Sequence, residues 1–418
     1  MPLLDTVKSL PSKIKAVDSL KNPAFRMFFL SRLFDALSMN IRQFSLSLLV
    51  YYLTGSAPWL GYVTLARAIP LLFFSPVAGA LADRLEKKTL IIGASVADVC
   101  IAVIIGISLT TGYLSPANHG SWIFLLCMSF FDGISTIFKG PSTDAMVIEI
   151  VGEKLITNAI ALNQAGQNTL RLLGPVLAGV AIDRWGYEPS YYAMAILYTL
   201  SLVFILFVPY TGKGNTSIAG NILGDIRDVF VYIKKEPNIL YILVVVLCMV
   251  FFSMPYQALL PVFKDVLHIS ATKLGVLQFM SGLGSITGSI FLATLPSNKK
   301  RGLLLILGGL VLGISLVGFS FNTAWGFALG LMVGIGLGQS ARMTLPVALL
   351  QTYTKPEYRA RVMSFYGLNI GLSNFGSFFA AILVAAIGVQ WSVGGMALIM
   401  VGLSVFALLF IPRLRKLD

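Results

Sequence analysis

A run of about 20 apolar residues makes a helix long enough to cross the roughly 30 Å hydrocarbon core of a bilayer, and this chain repeats such runs almost from end to end. They fall near 24–53, 58–82, 88–111, 121–144, 158–182, 189–210, 238–263, 272–296, 301–320, 324–350, 360–387 and 390–412, separated by short polar or Gly/Pro-containing segments. Of the 418 residues 56% are hydrophobic and 12% charged, and the mean hydropathy is +0.83. Soluble domains carry about twice that share of charge, and 18 acidic residues cannot cover the outside of a water-soluble body of this length. The expected fold is therefore an all-α membrane protein of about twelve transmembrane helices.

The longest interruption is 211–237, where Gly212, Gly214, Asn215 and Gly220 precede an amphipathic stretch from Ile222 to Ile233 with Lys234 and Lys235. It predicts six helices in 1–210, a linker over 211–237 and six more in 238–418. The formal charge of +13 follows this division. Basic residues sit in the N-terminal arm (Lys8, Lys13, Lys15, Lys21, Arg26), in alternate loops and in the tail (Arg413, Arg415, Lys416), while the opposite loops hold only Arg184, Lys264 and Lys273. The positive-inside rule then puts both termini and the linker in the cytoplasm, so the basic excess reads as topology rather than as nucleic-acid binding. Trp59, Trp122, Trp185, Trp325 and Trp391 lie at or beside the loops assigned to the outside, as interface-seeking rings should. No short apolar stretch with a small-residue cleavage site opens the chain, which predicts that the first helix is retained.

Cys100, Cys127 and Cys248 lie within apolar runs without CxxC spacing, and His119 and His268 fall in outer loops. This pattern predicts buried thiols, with no metal site and no other cofactor. No phosphate-binding Gly-x-x-x-x-Gly-Lys-Ser/Thr loop occurs and no catalytic constellation emerges, so neither ATP-driven transport on this chain nor enzyme chemistry is expected.

Sharper motifs follow the second and within the fifth helix. Gly79-Ala80-Leu81-Ala82-Asp83-Arg84-Leu85-Glu86-Lys87-Lys88 resembles the signature loop of the major facilitator superfamily, with Glu86 where the pattern has Gly and Lys87 where it has Arg. The resemblance implies a fold of two pseudo-symmetric six-helix bundles. It also implies a conformational gate in which Gly79, Asp83, Arg84, Lys87 and Lys88 meet the start of the eleventh helix near Arg359 and Arg361. A carboxylate suits the positive end of a helix. The equivalent second-half loop, Leu295-Pro296-Ser297-Asn298-Lys299-Lys300-Arg301, lacks the Asp, and Pro141 to Glu153 is echoed by Pro346 to Glu357. Leu173-Gly174-Pro175-Val176-Leu177-Ala178-Gly179 resembles the Gly-Pro-x-x-Gly-Gly element of antiporting exporters, with Ala178 replacing one Gly; Gly174, Pro175 and Gly179 are then bend and contact residues. Together with Thr54-Gly55-Ser56 and Glu357 to Ser364, these features resemble the macrolide-efflux and siderophore-export branch.

Ionisable groups at membrane depth are costly and mark pathways. In the first helix Arg32, Asp35 and Arg42 fall within roughly 80° of one another on the helical wheel, with Ser38 alongside. The fourth helix shares Asp132 and Lys139 on one face, and the fifth stacks Gln164, Gln167, Asn168 and Arg171. Arg67, Asp98, Arg342 and Asn369 add to the set. Each has a structural reading too: Arg32 and Asp35 as a static pair, Asp98 and Arg67 as shallow, snorkelling groups. The expectation is a proton-coupled exporter of an amphiphilic small molecule, working by alternating access. Asp35 or Asp132 would carry the proton, and Arg32, Arg42, Ser38, Lys139, Gln164, Gln167, Asn168, Arg171, Arg342 and Asn369 would line the cavity. The alternatives are an importer or uniporter of a small polar solute and a lipid flippase-like transporter. Expected partners are membrane lipid, the small-molecule substrate and protons, in a monomer of the plasma (inner) membrane.

Overall fold

The structure, a computed structural model, describes residues 18–209, 222–296 and 300–418; for 75–84, 141, 145, 153, 154, 222–228 and 360 only the backbone is described. Residues 211–221 of the expected linker, Lys8, Lys13 and Lys15 of the arm, and Ser297, Asn298 and Lys299 of the second-half loop lie outside the described residues. The described chain is helical, without a strand among the described residues.

In the first half the helices are α1 (Pro23–Thr54), α2 (Ala57–Arg84), α3 (Lys87–Thr110), α4 (Ser121–Gly152), α5 (153–185) and α6 (Tyr187–Leu206). The linker contributes α7 (Ile222–Lys235). The second half holds α8 (Pro237–Ser253), α9 (Pro255–Val266), α10 (Ala271–Thr294), α11 (Arg301–Phe321), α12 (Trp325–Tyr353), α13 (Arg359–Gly367), α14 (369–387) and α15 (389–410). By length and composition alone, seven helical stretches among the described residues are apolar enough to cross a membrane, and one of them, Arg361–Phe410, holds 50 residues broken at Gly388. Several of the remaining long helices, α1 foremost, carry the charges described below. The set fits twelve spans.

Most observed ends lie within a few residues of the expected ones. The largest difference is at α4, expected to stop at 144, which continues through Pro141 to Gly152. There the backbone turns at φ 68°, a left-handed conformation natural to glycine. The expected span 238–263 is interrupted at Met254, where a new helix starts with Pro255; proline leaves no backbone donor for the turn before it and favours a helix start.

The two halves repeat one packing plan. In the first, α1 lies on α5 through Gly166 against Leu33 and Gly174 against Asn40, and on α6 through Ser31 Oγ, which donates to Ser201 O at 2.9 Å. Gly133 of α4 meets the Arg67 backbone of α2, and Gly106 of α3 meets Tyr192 of α6. In the second, Gly376 of α14 meets the Phe251 backbone of α8, Gly284 of α10 meets Val333 of α12, Gly338 of α12 meets Leu312 of α11, and Gly313 of α11 meets Val401 of α15. Without a strong hydrophobic force between helices in lipid, such small-residue contacts let backbones approach and gain dispersion energy.

The halves touch each other mainly at one end and towards the middle. Gly179 of α5 packs on Ala271 of α10, Gly275 on Pro175, Gly282 on Leu172, and Gly61 of α2 on Ala381 and Phe378 of α14. At that end Asp183 accepts hydrogen bonds from the first backbone N–H groups of α10, Ala271 at 3.1 Å and Thr272 at 2.7 Å, a carboxylate at the positive end of a helix. Tyr51 donates to Asp265 at 2.6 Å across the same seam. A side chain at Gly275 has no room beside the Pro175 carbonyl. Gly275→Val is expected to destabilise the protein by about 1–3 kcal/mol of overpacking, read as a lower melting temperature in detergent. It should also raise the thiol-labelling rate of a cysteine placed at Ser270.

Candidate functional site

Seven ionisable residues of the first half do not stand singly. They form one buried chain of alternating charge. Arg32 Nη1 pairs with Asp35 at 3.2 Å; Asp35 also pairs with the Lys139 ammonium, which reaches Asp98 at 2.8 Å. Asp98 lies 3.6 Å from Arg42; Arg42 pairs with Asp132, and Asp132 with Arg67 Nε at 2.9 Å. Arg32 further donates to Gln167 of α5 at 3.4 Å, Ser135 Oγ donates to Asp98 at 2.9 Å, and the Tyr198 ring of α6 faces both Arg42 and Lys139, at 5.4 and 5.6 Å. All six helices of the first half contribute. Four cations alternate with three carboxylates, so each interior member has a partner of opposite sign on either side, as charges removed from water require.

Beside this chain lies a cavity of about 710 Å³ between the halves, the size of a drug-sized ligand site. Arg42, Arg67 and Asp132 bring the charge chain to its wall, Asn168 and Arg171 line it from α5, and Gln278, Ser281 and Ser285 line it from α10. One helical face changes character along its length. On α10 it is Gly275 and Gly282 in contact with α5, then Ser285, Ile286, Ser289 and Ile290 on the cavity wall, the last two exposed. On α5 the face runs from Gly179 and Pro175 in contact to exposed Arg171 and Asn168. The cavity thus widens towards the helix ends that adjoin Lys154 and the Lys300–Arg301 loop.

Of the residues expected at the cavity, Arg42, Asp132, Asn168 and Arg171 line it. Arg32, Asp35, Lys139 and Gln167 stand behind them in the charge chain. Ser38 bonds its own helix at Phe34 O, 2.8 Å, because a membrane serine satisfies itself on the preceding turn. Asn369 donates to Tyr366 O at 2.8 Å at the α13–α14 break, and Gln164 is exposed on α5 beyond the lining residues. Arg342 is buried in α12, its Nη2 3.2 Å from Met254 Sδ.

Asp98 corrects the shallow reading. It is 3% exposed and central to the chain, and its signal was an acid midway along the apolar helix α3. Tyr198 and the Tyr256–Gln339 pair, where Gln339 Nε2 donates to the Tyr256 hydroxyl at 2.8 Å, were missed because nothing separates them from packing until the helices are assembled.

Within the loop motif, Lys87 pairs with Glu149, and Lys88 donates to the carbonyls of Leu206 and Val208 at 3.0 and 2.6 Å, a cation at the negative end of α6. Arg359 Nε donates to Thr354 O at 3.2 Å, and Arg361 lies in the first turn of α13. The side chains of Asp83 and Arg84, and the surroundings of Gly79, lie outside the described residues. In the α5 motif Gly174, Pro175 and Gly179 all take close contacts, with Asn40, Gly275 and Ala271. Ala178 is buried in the core and carries its methyl there, so the departure from Gly falls where a Cβ fits.

Helices of membrane-spanning length around a charged interior cavity define a membrane transporter. The Major Facilitator Superfamily model matches residues 28–373, and the chain belongs to that superfamily. It is 25% identical to macrolide efflux protein A of Streptococcus pyogenes over 82% of this chain and 85% of that one. It is 24% identical to the staphyloferrin A transporter of Staphylococcus aureus over 94% and 97%, and 23% identical to the enterobactin exporter EntS of Citrobacter koseri over 93% and 92%. Among solved structures it shares the fold of a POT family transporter, with a TM-score of 0.69 at 12% identity over 94% and 96% of the two chains. A bacterial homolog of the lysosomal transporter Spinster, inward-facing and unoccupied, gives 0.65 at 13% over 93% and 98%.

The charge chain makes a checkable statement about energetics. Lys139→Met leaves Asp35 and Asp98 facing each other without their shared cation, which should cost about 3–5 kcal/mol. The double variant Lys139→Met, Asp98→Asn should melt measurably higher than Lys139→Met alone, since removing both partners spares an unmatched buried charge. Equal melting temperatures would show that the chain is not electrostatically coupled.

Proposed function

We propose that this transporter is a proton-coupled exporter of an amphiphilic small molecule. Its two six-helix bundles, 1–210 and 238–418, rock about the cavity while 211–237 ties them together. The observation that carries the reading is that the charge chain runs from behind the cavity wall on to its surface, so proton and substrate can act on one set of groups. A proton reaching Asp35 competes with the Lys139 ammonium for the same oxygen, and Lys139 in turn is held by Asp98, which borders Arg42 and hence Asp132 on the wall. A change of partner at one end therefore alters the charge facing the cavity. Relatives named as a macrolide efflux protein and an enterobactin exporter over most of the chain support the direction of transport.

With basic loops in the cytoplasm, both termini are cytoplasmic, the membrane is the plasma membrane and the cavity opens inward. The protein works as a monomer. On the strength of its motif, Asp83 holds the cytoplasmic side shut in the opposite, outward-open state, together with Arg84, Lys87, Lys88, Arg359 and Arg361.

Two measurements test this. In proteoliposomes with an imposed pH gradient, Asp35→Asn should abolish uphill transport while leaving folding and substrate binding largely intact, because the amide keeps the shape and loses the proton site; undiminished uphill transport would remove Asp35 from the mechanism. Asp83→Asn should lower transport and raise labelling of a cysteine at Ser364 from the cytoplasmic side several-fold, the effect of losing a contact of about 1 kcal/mol in a two-state equilibrium.

A further inference from the structure

Arg171 and Arg342 stand outside the charge chain. Arg342 is 5% exposed, its Nε lacks a hydrogen-bond partner, and its Nη2 rests on the Met254 thioether. Among the described residues no carboxylate pairs with it. The polar groups that bear on it are the hydroxyls of Tyr256 and Tyr366 and, from the other half, the like charge of Arg171. A buried guanidinium with a sulfur for a partner is costly, and no ion pair among the described residues offsets that cost. Arg171 lines the cavity, and no described carboxylate pairs with it either.

The surroundings favour one sign of ligand. The charged residues on the cavity wall are Arg42, Arg67, Asp132 and Arg171, and the second half supplies neutral polar groups there, Tyr256, Gln278 and Gln339 among them. Leu172, Ile286, Ile290 and Met343 add apolar wall.

We propose that the cavity holds a substrate carboxylate between Arg171 of α5 and Arg342 of α12, with the apolar remainder of the substrate against the Ile286–Ile290 wall. This rests on the reading of the cavity as the substrate site. Two oxygens in a plane match the guanidinium fork, and Met254, unbranched and flexible, is the side chain that must move for the anion to reach Arg342. Empty, the site sets two like charges on opposite halves. An anion between them turns that repulsion into a bridge, so binding draws the halves together where the cavity is now open.

The test uses two xanthene dyes of similar shape and opposite charge, fluorescein with its free carboxylate and the cationic ester rhodamine 6G, titrated onto purified full-length protein in detergent and followed by anisotropy. Fluorescein should bind saturably and at least about tenfold more tightly than rhodamine 6G. Arg171→Gln and Arg342→Gln should each weaken it by about tenfold or more, as loss of a hydrogen bond between charged groups does, and Arg342→Lys should fall between. Arg342→Met should also raise the melting temperature of the dye-free protein, because the unpaired charge is gone; a merely structural arginine would lower it. Equal or tighter rhodamine binding, no saturable fluorescein binding, or unchanged fluorescein affinity in Arg342→Gln overturns the site. Gradient-driven movement of rhodamine 6G alongside a rhodamine preference would sink the carboxylate site and leave the exporter reading standing. Fluorescein selectivity without any response to a pH gradient would keep the site and sink proton coupling.

Discussion

Hydrocarbon supplies neither water nor counter-ions, so a charge brought to mid-membrane is costly unless it finds its opposite within the protein. In the first half this constraint organises the whole bundle. Asp35, Asp98 and Asp132 alternate with Arg32, Lys139, Arg42 and Arg67 across α1 to α4, with Gln167 and Tyr198 joining α5 and α6. A lone surface pair contributes little, but a buried, connected chain differs in kind: displacing one member changes the partners of its neighbours.

The second constraint is steric. Gly179, Gly275 and Gly61 let the halves meet backbone to backbone and Gly282 makes room for the Leu172 side chain over part of their length, and where the same faces carry Ser285, Ile286, Arg171 and Asn168 instead, a cavity opens. The position of the small residues therefore sets which end is sealed. Asp183 on the α10 N-terminus and Tyr51 on Asp265 add polar contacts to the sealed end, where partial solvation makes them easier to break than a buried pair.

The halves share a packing plan but differ in electrostatics. The first carries the charge chain, while the second presents hydroxyls and amides to the cavity and buries behind Met254 one guanidinium that no carboxylate among the described residues pairs with. Repetition of the plan is what two similar bundles around a central site require.

Much of this was legible before assembly. Apolar runs set the spans because hydrophobic length is a one-dimensional property, and the α5 motif marked a close helix contact because glycine spacing is local, while its partner α10 came only with the structure. The 100° wheel placed Arg32, Asp35 and Arg42 on one face of α1. What the wheel could not supply was the partner of each. Asp98 read as shallow because its depth depends on how α3 packs against α4 and α6, and Ser38 and Asn369 read as cavity groups until their own backbones were seen to take them. Arg342 was visible as an arginine in an apolar helix, yet that no carboxylate among the described residues pairs with it emerges only when α8 and α12 are packed. The sequence by itself determined the apolar helical spans and the charges that must be matched, since those follow from hydropathy and the cost of burial. The tertiary structure alone decided which charge meets which and where the bundle is open, since pairing and closure depend on distances between helices far apart along the chain.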